Sequence, residues 1–118
     1  MTDKELLEKL DESTSLNDLQ DYIVNMLEFR GFADESAQDI LLMMMEEVGE
    51  LARAVRKTAG LPMDANKHNN DESLPGEIAD VFILLLSLCK ATGIRLLDAF
   101  LEKEQLNCDR LWVKSFKR

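Results

Sequence analysis

The 118-residue chain has few of the residues that interrupt or cross-link a backbone: two prolines, five glycines, two cysteines and one histidine. The cysteines, Cys89 and Cys108, lie inside helical patterns away from metal-ligand spacing, which excludes a disulfide scaffold. Positive charge is scarce, with 14 Lys and Arg against 23 Asp and Glu and a net charge of −9. Affinity for DNA or RNA comes from Lys and Arg neutralising phosphates along a basic face, so a nucleic-acid polymer is excluded as the main partner. If an anion binds, something else must carry the positive charge. No apolar run is long enough to span a bilayer, since the longest, from Val81 toward Cys89, is bounded by Asp80 and Lys90. The charged start, MTDKELLEKLDEST, lacks the apolar segment of a secretory signal, so the expected location is cytoplasmic. Against these absences stand 46% apolar residues, enough for the core of one domain over 1–118.

Apolar residues recur at three- and four-residue spacing almost throughout, so the fold class expected is all-α. A charged segment over 1–14 forms at most a short, loosely docked helix. Leu16, Leu19, Ile23, Met26 and Leu27 then make one stripe, capped by Ser15 or Thr14 and stopped at Gly31. Asp34 is the expected cap of the longest helix, in which Ile40, Leu41, Met44, Val48, Leu51 and Val55 keep the period until Gly60. Residues 59–73, with Gly, Pro, three Asn and two Asp, read as a polar, mobile loop. Within it His68 has no partner spacing and reads as a surface side chain. Pro75 suits the first turn of a third helix over Leu74 to Thr92. Between Ile78 and Cys89 that helix is apolar on nearly every side. Leu96, Leu97, Phe100, Leu101, Cys108 and Leu111 define a fourth helix to about Trp112, whose indole reads as packing. An antiparallel four-helix bundle that covers its third helix by self-association, as a homodimer or homotetramer, is the expected architecture. The run Met43 to Met45 serves core and oligomer contacts.

Acidic residues fall in two sets. Glu46, Glu47 and Glu50 form EExxE inside MMMEEVGELARAV. With Ile40 at 0° on a helical wheel, the apolar stripe spans about 0° to 140°, and Glu47, Glu50 and Glu46 lie near −20°, −80° and −120°. Glu47 is thus in line with Met44 and Leu51. Glu77 and Asp80 stand at i, i+3 at the mouth of the most apolar segment. Taken singly, EExxE reads as a solvated face with a salt bridge to Arg53 or Lys57, and ExxD as a helix N-terminus that favours negative charge. Taken together on adjacent helices, four or five carboxylates converge, which is costly unless they are protonated or a cation neutralises them. Oxygen-only ligands suit Mg²⁺ or Mn²⁺.

EExxE at 46–50 followed by ExxD in EIADVFILLLSL resembles the MazG-like nucleoside triphosphate pyrophosphohydrolases of the all-α NTP pyrophosphatase superfamily. The likeness runs from about Leu16 to Arg110 and takes in LQDYIVNMLEFRGF and GIRLLDAFLEKEQLNCDR. It implies hydrolysis of a (deoxy)nucleoside triphosphate to the monophosphate and pyrophosphate with Mg²⁺, in nucleotide-pool housecleaning. By position it implies Glu47, Glu50, Glu77 and Asp80 as metal ligands and Glu46 as a water-orienting carboxylate. Lys103, Asn107 and Arg110 match the family's KxxxNxxR, on one face of the fourth helix. Phe32 stands where relatives carry an aromatic near the base; as a residue it equally suits stapling the first two helices together.

The chain departs from the family pattern in places. Pro75 and Gly76 replace acidic residues ahead of the second motif, and Arg95 stands where relatives place an Asp cap. Leu84 is not the aromatic of relatives selective for cytosine nucleotides, so the resemblance does not extend to dCTP. Two other functions fit the same pattern: hydrolysis of another nucleotide, such as phosphoribosyl-ATP or dUTP, or a non-enzymatic helical oligomer that binds a protein partner.

Overall fold

The computed structural model describes residues 2–62 and 73–113. Among these, five helices follow in order: α1 (Asp3–Glu8), α2 (Leu16–Arg30), α3 (Ala37–Thr58), α4 (Leu74–Thr92) and α5 (Leu96–Cys108). The all-helical expectation holds, with five helices in place of four. Residues 63–72, which make up most of the expected polar loop and include His68, lie outside the described residues.

Local chemistry accounts for the helix ends. Thr2 and Glu5 close a reciprocal capping box on α1, and Asp3 meets Arg30 at 3.1 Å at the end of α2. Ser15 caps α2 by accepting from the Asp18 amide. Thr14, the alternative cap, instead accepts from the Asp11 amide at 2.9 Å. The α3 cap is Ser36, which accepts from the Asp39 amide at 3.1 Å, so the helix starts later than a cap at Asp34 would place it. Ser73 caps α4, with Pro75 in the first turn, where its missing amide costs nothing. Gly31 and Gly93 end α2 and α4 at φ 78° and 69°, a left-handed conformation open to glycine without strain.

α4 is the central element. α3 packs along it from one side and α2 from another, while α1 and α5 both pack on α2. Ile23, Met26 and Leu27 of α2 and Leu86 of α4 form the buried core, with Leu16, Leu19, Tyr22 and Leu96 packed against it. A radius of gyration of 17.7 Å, against about 13.5 Å for a compact chain of this length, fits this open arrangement. Ile78, Phe82 and Ile83 of α4 keep exposed surface. On α3 the apolar stripe is only partly covered: Ile40 is buried, whereas Leu41, Val48 and Val55 are exposed. Met43 and Met44 are half-buried and Met45 is exposed.

The fourth helix is shorter than its apolar period implies. It ends at Cys108, with Asp109 as C-cap. Trp112 is 69% exposed, and its indole donates to the Asn107 carbonyl at 2.8 Å, so it terminates a helix instead of packing in a core. Burial pushes the Cys89 thiol up, whereas Cys108 is exposed.

Gln20 joins the elements around this core. It is buried on α2, and its Nε2 donates to the Ile94 carbonyl at 2.7 Å while its Oε1 accepts from the Leu96 amide at 3.0 Å. Arg95 occupies the N-cap of α5 without a capping bond of its own, so the Gln20 side chain serves as cap from another helix. The Arg95 guanidinium turns outward to Asp21 at 2.9 Å. Lys90 Nζ donates to the Ala33 carbonyl, tying α4 to the turn before α3.

Replacing Gln20 with Ala removes both bonds and leaves a part-buried amide and carbonyl unmatched, a loss of about 2 kcal/mol. Arg95→Ala breaks an exposed pair with Asp21 and an exposed, 3.4 Å bond to the Asn17 carbonyl, and costs about 1 kcal/mol. Urea unfolding followed by circular dichroism checks that order.

Candidate metal centre

Glu47 stands in the middle of α3, one turn from Met44 and from Leu51, on the side that packs against α4. Glu77 lies in the first turn of α4, where the positive end of the helix dipole favours a carboxylate, and Asp80 follows one turn later. The packing of α3 on α4 brings the three together. One carboxylate oxygen from each of Glu47, Glu77 and Asp80 lies within 4.8 Å of the others. Glu77 is 1% exposed, while Glu47 and Asp80 are half-buried. Three carboxylates at this distance repel one another, and burial deepens the cost because solvent no longer screens them. An all-oxygen donor set with a buried member fits a hard divalent cation, and among the described residues no thiol or imidazole belongs to the cluster.

The remaining acids of the first motif stand apart from this group. Glu50, one turn past Glu47, meets Arg53 at 3.6 Å, and both side chains keep over a third of their surface. Glu46 is exposed. The expected convergence of four or five carboxylates is therefore a convergence of three, with Glu50 on the flank in the salt bridge that the sequence offered as its simpler reading. Among the described residues, the cluster contains no acid that the two motifs had not named.

The fourth-helix residues divide. Lys103 and Asn107 belong to α5, but Arg110 lies beyond its end, so the three do not share a helical face. This corrects the expectation from i, i+4, i+7 spacing. The Asn107 side-chain amide donates to Glu104 at 3.0 Å, and the Arg110 amide donates to the Asn107 carbonyl at 3.2 Å. α5 packs on α2 rather than on the α3–α4 pair to any comparable extent. Phe32 follows the left-handed Gly31, and its ring is 48% exposed.

The family model described as the MazG nucleotide pyrophosphohydrolase domain matches residues 35–107, from just ahead of α3 to near the end of α5. The chain belongs to this family. The matched span of the MazG domain contains both acidic motifs and all three clustered carboxylates. It is narrower at both ends than the resemblance read from the sequence, leaving out α2, Phe32 and Arg110. No curated protein and no solved structure matches the chain. Among the described residues, no helix of the MazG domain is long and apolar enough to cross a membrane.

If the cluster holds a cation, Mg²⁺ or Mn²⁺ at 100 times its dissociation constant stabilises the fold by about 2.7 kcal/mol. Glu77→Gln should abolish that gain. In EDTA the same variant should melt higher than the parent, by roughly 4 °C for each 1 kcal/mol of relieved repulsion in a domain of this size. Differential scanning fluorimetry of both proteins with and without the ion tests the pair of outcomes.

Proposed function

We propose that this MazG domain hydrolyses a (deoxy)nucleoside triphosphate to the nucleoside monophosphate and pyrophosphate with Mg²⁺, Mn²⁺ being the alternative ion, and acts on the cytoplasmic nucleotide pool as a homo-oligomer. The observation that supports it best is the grouping of Glu47, Glu77 and Asp80 within 4.8 Å inside the matched span. Glu47, Glu77 and Asp80 hold the cation. Glu50, one turn past Glu47, would be the fourth ligand on turning from Arg53, which it meets at 3.6 Å. When bound, the cation supplies the positive charge that lets an acidic protein take an acidic triphosphate and stabilises the charge on the departing pyrophosphate.

The other residues act on the substrate directly. Glu46, exposed on the helix that carries Glu47, accepts a hydrogen bond from the attacking water through a carboxylate oxygen. Lys103 and Arg110 donate to phosphate oxygens, and Asn107 bonds to sugar or phosphate once its amide leaves Glu104. The half-exposed Phe32 ring stacks on the base.

A panel of nucleoside triphosphates incubated with the protein and Mg²⁺ is expected to yield pyrophosphate, not orthophosphate, from at least one member. Glu47→Ala should reduce the rate by more than the roughly 10–100-fold typical of losing an outer-shell partner of a metal. Silence across the panel at high protein concentration, or an unchanged rate in Glu47→Ala, would sink the reading.

A further inference from the structure

Between Asp80 and Asp98 the chain has no acidic residue and two basic ones, Lys90 and Arg95, which inverts the balance behind its net charge of −9. The fold brings both to one place. α4 ends at the left-handed Gly93 and α5 starts at Leu96, so the backbone turns an elbow beside α2. A cleft of about 240 Å³ opens between α2 and this elbow, and Lys90 and Arg95 both line it. Val24, Cys89 and Ile94 give it an apolar wall, in which burial keeps Cys89 a neutral thiol. Among the described residues, no acid lines the cleft.

Both cations have donors left over. Lys90 Nζ spends one of its three N–H groups on the Ala33 carbonyl. Arg95 meets Asp21 at 2.9 Å and the Asn17 carbonyl at 3.4 Å through Nη1 alone, which leaves the donors of Nε and Nη2. The placement of Arg95 is also costly without a counter-charge. It stands at the N-cap of α5 and makes no capping bond there, while the positive end of the helix dipole disfavours a cation at that position. Gln20 already serves as the cap, and the pair with Asp21, exposed on both sides, repays little. An anion in the cleft would answer the guanidinium, the ammonium and the dipole together.

The shape of the cleft narrows the class of anion. A planar guanidinium fork and a compact ammonium on one rim suit the several oxygens of a phosphate group better than the two of a carboxylate. The apolar wall suits an organic body beside that group. At about 240 Å³ the cleft is smaller than the roughly 300–1,000 Å³ of sites for drug-sized ligands, so it takes a small ester or one end of a larger one. Lys90 lies ten residues past Asp80 on the same helix, about 15 Å along its axis, so the cleft is separate from the acidic cluster.

We propose that the cleft between α2 and the α4–α5 elbow binds a small phosphate ester without a metal ion, Lys90 and Arg95 holding the phosphate and Val24, Cys89 and Ile94 facing the organic part. The inference stands apart from the hydrolytic reading, because a cluster of carboxylates stripped of its cation repels phosphate and this cleft does not.

Titration of the full chain with phenyl phosphate in EDTA, at low salt, tests it by calorimetry. Binding with a Kd of about 1 mM or tighter is expected, with inorganic phosphate and benzoate each about tenfold weaker. Arg95→Gln and Lys90→Gln should each weaken phenyl phosphate by about tenfold, whereas Arg56→Gln, at the far end of α3, should leave it unchanged. Lys90 also holds the Ala33 carbonyl, so circular dichroism reads whether its variant keeps the fold, and Arg95→Gln carries the test alone if it does not. In amide NMR spectra the Gly93 resonance should move on titration and that of Gly49, on α3, should stay. No binding in EDTA, undiminished binding in Arg95→Gln, or a still Gly93 resonance would overturn the site. Benzoate as tight as phenyl phosphate would overturn the phosphate assignment, and inorganic phosphate as tight would overturn the ester.

Discussion

The crowding of three carboxylates where α3 crosses α4 is the constraint around which the chain is organised. Glu77 is 1% exposed with Glu47 and Asp80 beside it, and a protein gains no stability from arranging like charges in this way. α3 is attached to the rest of the chain chiefly through α4, so the surface that holds the helix in place is also the surface that bears the repulsion. Cation binding and helix pairing are therefore linked: whatever neutralises the cluster strengthens the attachment of α3, and whatever loosens α3 disperses the ligands.

The opposite end of α4 is built by different means. There Gln20 caps α5 from across the chain and holds the Ile94 carbonyl, and Lys90 reaches the turn before α3. These bonds fix the angle at which α4 enters α5 and the position from which α3 starts. A frame held by directional bonds at one end tolerates electrostatic stress at the other, because the helices cannot slide apart without breaking part-buried hydrogen bonds.

What could be read from the sequence was what local pattern controls. Ser15, Gly31, Pro75 and Gly93 mark helix ends through chemistry that acts over three or four residues, and the bounds of α4 agree with the reading from Leu74 to Thr92. The acidic motifs were visible because their spacing is helical, and Glu47, Glu77 and Asp80 are the members that the α3–α4 packing unites. Features set by distant contacts were not visible. Gln20 interrupts an otherwise apolar face of α2, a signal that something polar is buried there, yet its partners lie 74 and 76 residues away. The α3 cap fell to Ser36 over Asp34 because both are good caps two residues apart, and preference alone does not choose between them. Leu111 and Trp112 continued the apolar period of α5, but Asp109 closes the helix first, which removes Arg110 from the face that spacing assigned to it.

The indole that seals the end of α5 is the protein's only tryptophan. Largely open to solvent and hydrogen-bonded to the carbonyl of Asn107, it makes the chain's intrinsic fluorescence the signal of a single known place. Emission from such a ring responds to the polarity around it, so a ligand or a second chain that covers this helix end will announce itself by a blue shift. Events confined to the acidic cluster, on other helices, will leave the same signal still. A cation held by the cluster alone and a ligand that covers the end of α5 can thus be told apart without any label.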